Sequence, residues 1–511
     1  MNVEPRTTNP NQARRTANDE RVWRPLLVTA VVAYLYWLSP AFSSVAAGAD
    51  SSGYLWSARL FRHGALSAPI AVPPGFPAAA VGPNAFAPLG ARVRPGTWEL
   101  VPTYPTGLPL HLAAANLIVP EESAVRGVLI VTTGMTLVLF YLVAREAGLA
   151  WRWALAGSVV LACSPLFLFM AVQPMSDVLA TLWAEATILF AWRARGRGAY
   201  AVLAGASLGI ATLVRPTNVL LLLPAVAALP RAIRRYGGLV AGALPFAGFL
   251  IFYQSWTYGH PFASGYGDLS STFSMAQIGP SLAHYIRWLP RLASWLIVLA
   301  PVAVWAWRGE LVRWRLVTGA WAAVVLGIYA AYPVTSEAWW ALRFVLPAFP
   351  PLIIASLAGL QELARVLARR VPARDMTIDV AAFAAAALAV LLLVRAPEFG
   401  AFRSVKGSEA VYRNALQILS VSEPSPAAVL MVQMSGAANY YAPHLRFVRY
   451  DELSGSAWQA IRRWQADTHA VVGAALLPFE WEQVLRGDVL LPCAWTPRGR
   501  YRDVTFWACL P

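Results

Sequence analysis

From residue 25 to residue 395 the chain alternates between long apolar runs and short stretches rich in arginine, proline or acid. A helix crossing a bilayer needs about 20 mostly apolar residues, and shorter ones serve when tilted or packed. Eleven segments fit: 25–46, 124–144, 153–172, 178–194, 199–214, 216–230, 236–256, 290–307, 314–332, 342–362 and 377–395. The runs on either side of Arg215-Pro216 are short, and their helices are expected to meet at a bend, because proline disfavours helical geometry in the residue before it. The stretch 104–120, YPTGLPLHLAAANLIVP, is broken by Pro105 and Pro109 and is assigned to a re-entrant or interfacial helix.

The polar stretches fix an orientation. With the N-terminal tail (1–24) in the cytoplasm, the cytoplasmic loops are 145–153, 192–198, 230–238, 307–315 and 361–375, all arginine-rich. The opposite side receives the Pro/Gly-rich loop 47–123, QPMSD (173–177), the loop 257–289, YPVTSEAWW (332–340) and the tail 396–511. An excess of arginine on the cytoplasmic side is the expected bias. The tail reads as a small α/β domain on an open sheet: strands at 429–434 and 469–477 alternate with helices at 456–465 and 478–486. The expected architecture is a mainly α, polytopic helical membrane domain (25–395) with a C-terminal exoplasmic α/β domain.

Composition agrees. The 511 residues are 58% hydrophobic and 13% charged, too little charge to cover a soluble protein of this size. Many of the 22 tryptophans lie near the ends of apolar runs, as rings at headgroup level do. The net charge of +15 sits in short arginine clusters between spans, which argues for topology and against nucleic-acid binding. Arginine replaces lysine everywhere except Lys406, and alanine is abundant, a composition that suggests a GC-rich bacterial genome. The first apolar run is too long for a signal-peptide core and lacks a clear cleavage site, so it is read as an uncleaved span. Cys163 lies in a span and is read as a packing residue. Cys493 and Cys509 share the exoplasmic tail, where a disulfide between them competes with two buried thiols.

Four charged residues stand at outer boundaries. Asp50 ends the first run, and Asp177 opens the fourth, where Ser176 or Asp177 itself can serve as a helix cap. Arg215 and Arg343 interrupt apolar sequence on the less basic side, and each therefore needs a partner. Glu337 is one structural partner for Arg343. Asp50 can be a helix-end charge. It can also be a general base, since a carboxylate within hydrogen-bond reach deprotonates an attacking hydroxyl. Guanidinium forks suit phosphate oxygens, so Arg215 and Arg343 are both candidates to hold a donor phosphate. Tyr104, His111, His260, Tyr266 and Glu337 are further candidates for the same cavity wall. Two acids and two arginines at one surface suit a lipid-anchored phosphosugar, with its tail in the bilayer and its sugar in the aqueous loop. A transporter or flippase of a lipid-linked envelope precursor is the alternative, although transporters place polar residues near the midplane of repeated halves. A membrane scaffold whose tail binds a partner would leave Asp50 and Asp177 without a role.

The segments DSSGYLWSARLFRHG, YPTGLPLHLAAANL, SDVLATLWAEATILFAWR, AGASLGIATLVRPTN and ALRFVLPAFPPLI, in this order over most of residues 25–365, resemble the recurring pieces of bacterial GT-C superfamily glycosyltransferases. That group includes protein O-mannosyltransferases and the aminoarabinose transferases of lipid A. YGHPFASGYGD (258–268) is similar to a middle-loop segment of uncharacterised bacterial members. The resemblance implies a polyprenyl-phosphate sugar donor, a lipid, glycan or protein acceptor, inversion at the anomeric carbon, and a site on the outer face of the cytoplasmic membrane. It also implies that Asp50 is the catalytic base or a metal-linked acid and that Asp177 is the second acid that orders the site. Ser51 stands where the group often has a second acid beside the first, and no His/acid cluster shows metal-ligand spacing. His260 with Asp268 is a possible divalent-cation pair, so metal dependence stays open at this point.

Overall fold

The computed structural model describes residues 10–267, 272–333, 338–369, 374–421, 426–485 and 495–509. Helices follow the apolar runs, with differences that matter for the site. The first helix, Pro10–Leu38, stops eight residues before the predicted end of its run. After a short 3-10 turn, Ser39–Ala41, the chain leaves helical geometry, and Ser43 N–H donates to the Val172 carbonyl (2.7 Å). A new helix, Ala49–Arg62, then begins with Asp50 in its first turn. The stretch read as re-entrant or interfacial contains the ten-residue helix Gly107–Asn116, with the 26-residue helix Glu121–Glu146 directly after it.

Among the described residues, five helices are long and apolar enough to cross a bilayer on their own: Glu121–Glu146, Ile233–Tyr258, Gly309–Ala330, Trp339–Ala368 and Met376–Val394. Two bent pairs raise the number to seven: Trp151–Ala162 with Pro165–Ala171 (66°), and Met275–Leu292 with Trp295–Ala306 (106°). The eleven predicted segments exceed this count because several lie on short helices. Asp177–Arg193 has 17 residues and Ala199–Val214 has 16. At 1.5 Å per residue such helices fall short of a hydrocarbon core about 30 Å thick. The predicted span 290–307 also breaks. Helix Ile278–Leu292 runs out of the predicted loop through Pro290, and the chain turns where Ser294 caps the following 3-10 segment, Trp295–Val302.

Two small-residue faces pack Ala199–Val214 against Ile233–Tyr258. Gly205 lies against Leu239 and Ala243, Gly209 against Phe246, and Gly238 and Gly242 against Ala201, Val202 and Ala206. A Cβ on Gly205 would lie 1.9 Å from the Leu239 carbonyl oxygen, and one on Gly242 would lie 2.0 Å from that of Val202. Such close backbone approach holds helices together where lipid removes the hydrophobic drive. The outer face of Ile233–Tyr258 exposes Val240, Leu244, Ile251 and Phe252, and the helix Arg374–Val394 exposes Val380, Phe383 and Leu388. These surfaces suit lipid contact.

The five arginine-bearing loops meet at one end of the bundle. Arg193 pairs with Glu146 (2.8 Å), the Trp307 indole donates to the Ala147 carbonyl (2.8 Å), and Gln361 accepts from Ala150 N–H (2.7 Å). Arg313 reaches the Leu229 carbonyl, and Gly198 lies against Arg235.

At the other end, strands β1 (Ala68–Pro69), β2 (Ala91–Val93) and β3 (Glu99–Pro102) form an antiparallel sheet in the first loop, ordered β1-β3-β2. The tail carries β4 (Ala428–Leu430), β5 (Phe447–Val448), β6 (Val472–Leu476), β7 (Trp495–Tyr501) and β8 (Val504–Cys509), ordered β5-β4-β6-β8-β7. β5, β4 and β6 are parallel, joined by the helices Ser435–Tyr441 and Gly455–Thr468; β6, β8 and β7 are antiparallel. β4 ends at Leu430 rather than running to 434, because its neighbour β5 is only two residues long and the next helix starts at Ser435. One face of this sheet packs on helix Val405–Ser420. The other face takes Trp458, Ile461 and Trp464 together with Phe76 and Phe86 from the first loop, so loop and tail share a core. The predicted Cys493–Cys509 pair cannot be followed here, since Cys493 lies outside the described residues.

Candidate active site

Asp50 owes its position to a helix start. Its carboxylate lies in the first turn of Ala49–Arg62, where the helix dipole favours negative charge. Asp177 occupies the same kind of position at the start of Asp177–Arg193. Each acid has a guanidinium partner far away in sequence. Arg343 Nη2 donates to Asp50 Oδ2 at 2.5 Å, and Arg215 Nη2 donates to Asp177 Oδ1. Arg215 leaves helical geometry (φ −147°, ψ 116°) before Pro216, as the bend at that junction requires, and this sends its side chain to Asp177.

The two pairs are joined. Arg215 Nη1 also donates to the Phe344 carbonyl (3.2 Å), next in sequence to Arg343. The Phe344 ring lies between the two guanidiniums, 5.2 Å from Arg215 Cζ and 4.9 Å from Arg343 Cζ. Tyr54, four residues and one turn beyond Asp50, donates to Ser176 Oγ (3.1 Å), beside Asp177. Residues 50–54, 175–177, 215 and 343–344 therefore form one polar constellation built from four separate segments.

The pairs differ in access. The Arg215 and Asp177 side chains are 7% and 1% exposed, whereas those of Arg343 and Asp50 are 16% and 24% exposed. A reactant can reach the second pair. Arg343 has spare capacity as well: Nη1 meets only the Met175 thioether (3.7 Å), a weak acceptor, and buried Nε has no partner among the described residues.

The other predicted residues divide. Tyr104 lies within hydrogen-bonding reach of Asp50, and its ring sits 5.1 Å from that of Tyr54. Burial first, then the Asp50 charge, raises the Tyr104 phenol well above its usual range, so it stays a neutral donor. Tyr266, half exposed, packs its ring 6.0 Å from Tyr104 and extends the same wall. His111 is tied elsewhere. Its Nδ1 bonds the Gly107 carbonyl (2.7 Å) and its Nε2 accepts from the Trp183 indole (3.2 Å), which fixes a neutral ring. Burial lowers its pKa in the same direction. His260 is exposed and accepts from Phe262 N–H. Glu337 and Asp268 lie outside the described residues; among the described residues the ion partner of Arg343 is Asp50. No group of three or more His, Cys, Asp or Glu suited to a metal comes together among the described residues.

Sequence reasoning passed over Tyr54, Ser176 and Phe344 as site residues. The i, i+4 spacing of Asp50 and Tyr54 was the one available signal, since it places both on one helix face.

The tail presses on the Asp50 helix. A Cβ on Gly436 would lie 2.1 Å from Ser52 Oγ. Arg59 bonds the Glu121 carboxylate (2.9 and 3.1 Å) and the Tyr440 carbonyl (2.7 Å), and Tyr440 donates to Glu121. Ser435 Oγ accepts from Leu89 N–H (3.0 Å). The first and middle loops are joined by Arg92, which donates to the Ser264 and Gly265 carbonyls.

No family model matches the sequence, and a sequence search of curated proteins gives no match. Solved structures do match in fold. ArnT from Cupriavidus metallidurans bound to undecaprenyl phosphate aligns with a TM-score of 0.57 at 14% identity, over 95% of this chain and 98% of that one. Its apo state gives 0.54 at 13% identity, over 95% and 97%. The archaeal oligosaccharyltransferase AglB from Archaeoglobus fulgidus, in complex with an inhibitory peptide and a dolichol-phosphate, gives 0.50 at 12% identity, over 89% and 69%. At these identities the likeness concerns the fold. This chain is a polytopic helical membrane protein with the fold seen in ArnT and in the oligosaccharyltransferase AglB.

Proposed function

We propose that the protein is an integral-membrane glycosyltransferase that moves a sugar from a polyprenyl-phosphate donor to an acceptor hydroxyl. The observation that carries this reading is the solvent-reachable Asp50 carboxylate held by Arg343, a cation with unused donors, at the head of a lipid-facing bundle. The undecaprenyl phosphate bound to ArnT and the dolichol-phosphate bound to AglB point to the same donor class.

In this mechanism the acceptor oxygen attacks the anomeric carbon from the face opposite the phosphate. Asp50 takes the hydroxyl proton as the new C–O bond forms. The bond from the anomeric carbon to the phosphate oxygen breaks, the polyprenyl phosphate leaves with that electron pair, and the configuration inverts. Arg343 stabilises the charge growing on the phosphate, where preorganised donors contribute most. Its second task is to aim Asp50. Asp177 and Arg215 are closed on each other and act as positioning residues, with Arg215 setting the backbone at Phe344.

The site lies at the end of the bundle opposite the five arginine-rich loops, which supports a reading in which it faces the outer side of a bacterial cytoplasmic membrane with the tail outside. Reporter fusions after residues 196 and 234 are expected to report cytoplasm, and those after 90 and 420 the exterior. The decisive assay exposes purified protein to radiolabelled polyprenyl-phosphate sugars. Label should pass to an acceptor or to water with the wild-type protein and not with Asp50→Asn. Equal turnover by both would overturn the reading.

A further inference from the structure

Beside Arg343 lies a cavity of about 150 Å³ lined by His284, Tyr285, Tyr329, Tyr332, Trp340 and Arg343. Its walls come from helix Ile278–Leu292, the end of helix Arg313–Ala330, and the 3-10 segment Trp339–Ala348. An apolar cavity of about this volume holds one six-membered ring. It is far too small for a polyprenyl chain.

Polar groups in the cavity are unspent. His284 is 8% exposed, and its Nε2 has no hydrogen-bond partner among the described residues. A neutral imidazole carries one N–H and one lone pair, so Nε2 can donate to or accept from a hydroxyl. Arg343 Nε is buried, unpartnered and a donor. A sugar hydroxyl both donates and accepts, and the C–H faces of a sugar ring pack on aromatic rings. Tyr329 and Phe344 are stacked 5.4 Å apart and held in place, with Tyr329 further bonded to Thr217 Oγ1 (2.7 Å). Buried polar atoms without partners are rare in folded chains and are satisfied by a ligand or water where the site is roomy.

We infer that this cavity receives the sugar ring of the lipid-linked donor and that His284 reads one of its hydroxyl or amino groups. The inference rests on the glycosyltransferase reading above. It sets the sugar ring against Arg343, whose guanidinium takes the phosphate. His284 is then a specificity residue.

The test compares two ligands on the full chain in nanodiscs: undecaprenyl phosphate, and undecaprenyl phosphate carrying glucose, mannose or 4-amino-4-deoxyarabinose. Wild-type protein should bind at least one sugar-bearing lipid more tightly than the bare one. His284→Gln is expected to weaken that sugar-bearing lipid about tenfold, one hydrogen bond's worth, while bare undecaprenyl phosphate binds within about twofold of wild type. Ala341→Leu, which fills the cavity from its wall without removing a polar group, should abolish the preference for the sugar-bearing lipid. If the wild-type preference survives both substitutions, the sugar sits elsewhere and the pocket assignment is lost while the transferase reading stands. If wild-type protein prefers no sugar-bearing lipid and transfers no label, the transferase reading itself fails. A free monosaccharide that competes only in the presence of acceptor would place the acceptor, not the donor, in the cavity and overturn the inference.

Discussion

Arg343 Nη2 and Asp50 Oδ2 meet at 2.5 Å across 293 positions of sequence, and theirs is the more exposed of the two ion pairs in the constellation. Exposure separates the two acids. Asp50 can exchange a proton with an incoming hydroxyl, and Asp177 cannot without opening a sealed pair.

If Asp50 is the base, Asp50→Asn should lower kcat by about 10²–10⁴-fold, the usual span for loss of a general base, while donor binding persists. Asp50→Glu moves the carboxylate by one methylene and should still lose on the order of 10²-fold. Single-turnover transfer of labelled donor measures both. A helix-end charge with no chemistry would tolerate glutamate.

The two arginines should fail in different ways. Removing one partner of a buried ion pair leaves an uncompensated charge, at about 3–5 kcal/mol. Arg215→Ala should therefore lower the thermal unfolding temperature strongly, and Asp177→Ala combined with it should recover part of the loss. Arg343→Ala removes a more accessible group and should chiefly weaken donor affinity. The two results to compare are the unfolding temperature and the donor Kd. A stable Arg215→Ala protein with weakened donor binding would move Arg215 into the phosphate site.

The tail packs against the Asp50 helix. Gly436→Val would place branched carbons where Ser52 Oγ now sits, 2.1 Å from an added Cβ. Small-to-large changes in such packing cost typically 1–3 kcal/mol. The expected outcome is faster proteolysis in the tail and a fall in kcat, with donor Kd less affected. Unchanged kcat with a detached tail would show that the tail serves something other than the transfer step.

Docking of the tail should also sense pH. Glu409, bonded to Ser43 Oγ at the foot of the Asp50 segment, is pushed up from 4.5 to about 7 by burial, an effect the Ser43 bond partly offsets. A raised folded-state value means that the unfolded chain gives up its proton first. The corresponding stability is full below pH 4.5, declines as pH rises from 4.5 to about 7, and is absent above. Glu409→Gln should remove this slope, so that at pH 8 the variant melts a few degrees higher than wild type. Parallel melting curves for both proteins across that window would rule out Glu409 as the titrating group.

The one-dimensional pattern determined a good deal. Runs of apolar residues fix where helices lie because an unpaired backbone in lipid is prohibitively costly, so the spans are local properties of the chain. Arginine placement marked five loops, and the structure gathers these five at one end. The Arg215-Pro216 break was legible because proline acts on its immediate neighbour. Tertiary packing decided the rest. Helix lengths departed from the apolar runs where Ser43 bonds the distant Val172 carbonyl and where Ser294 caps a new 3-10 segment. Which acid meets which arginine, and which pair stays open, depends on how helices far apart in sequence cross. No periodicity encodes that distance. Phe76 and Phe86 looked like loop residues because what they bury against is a sheet that begins more than three hundred residues later. His284 gave no signal at all, since a histidine becomes notable only when its ring nitrogen is found unpartnered against an empty space.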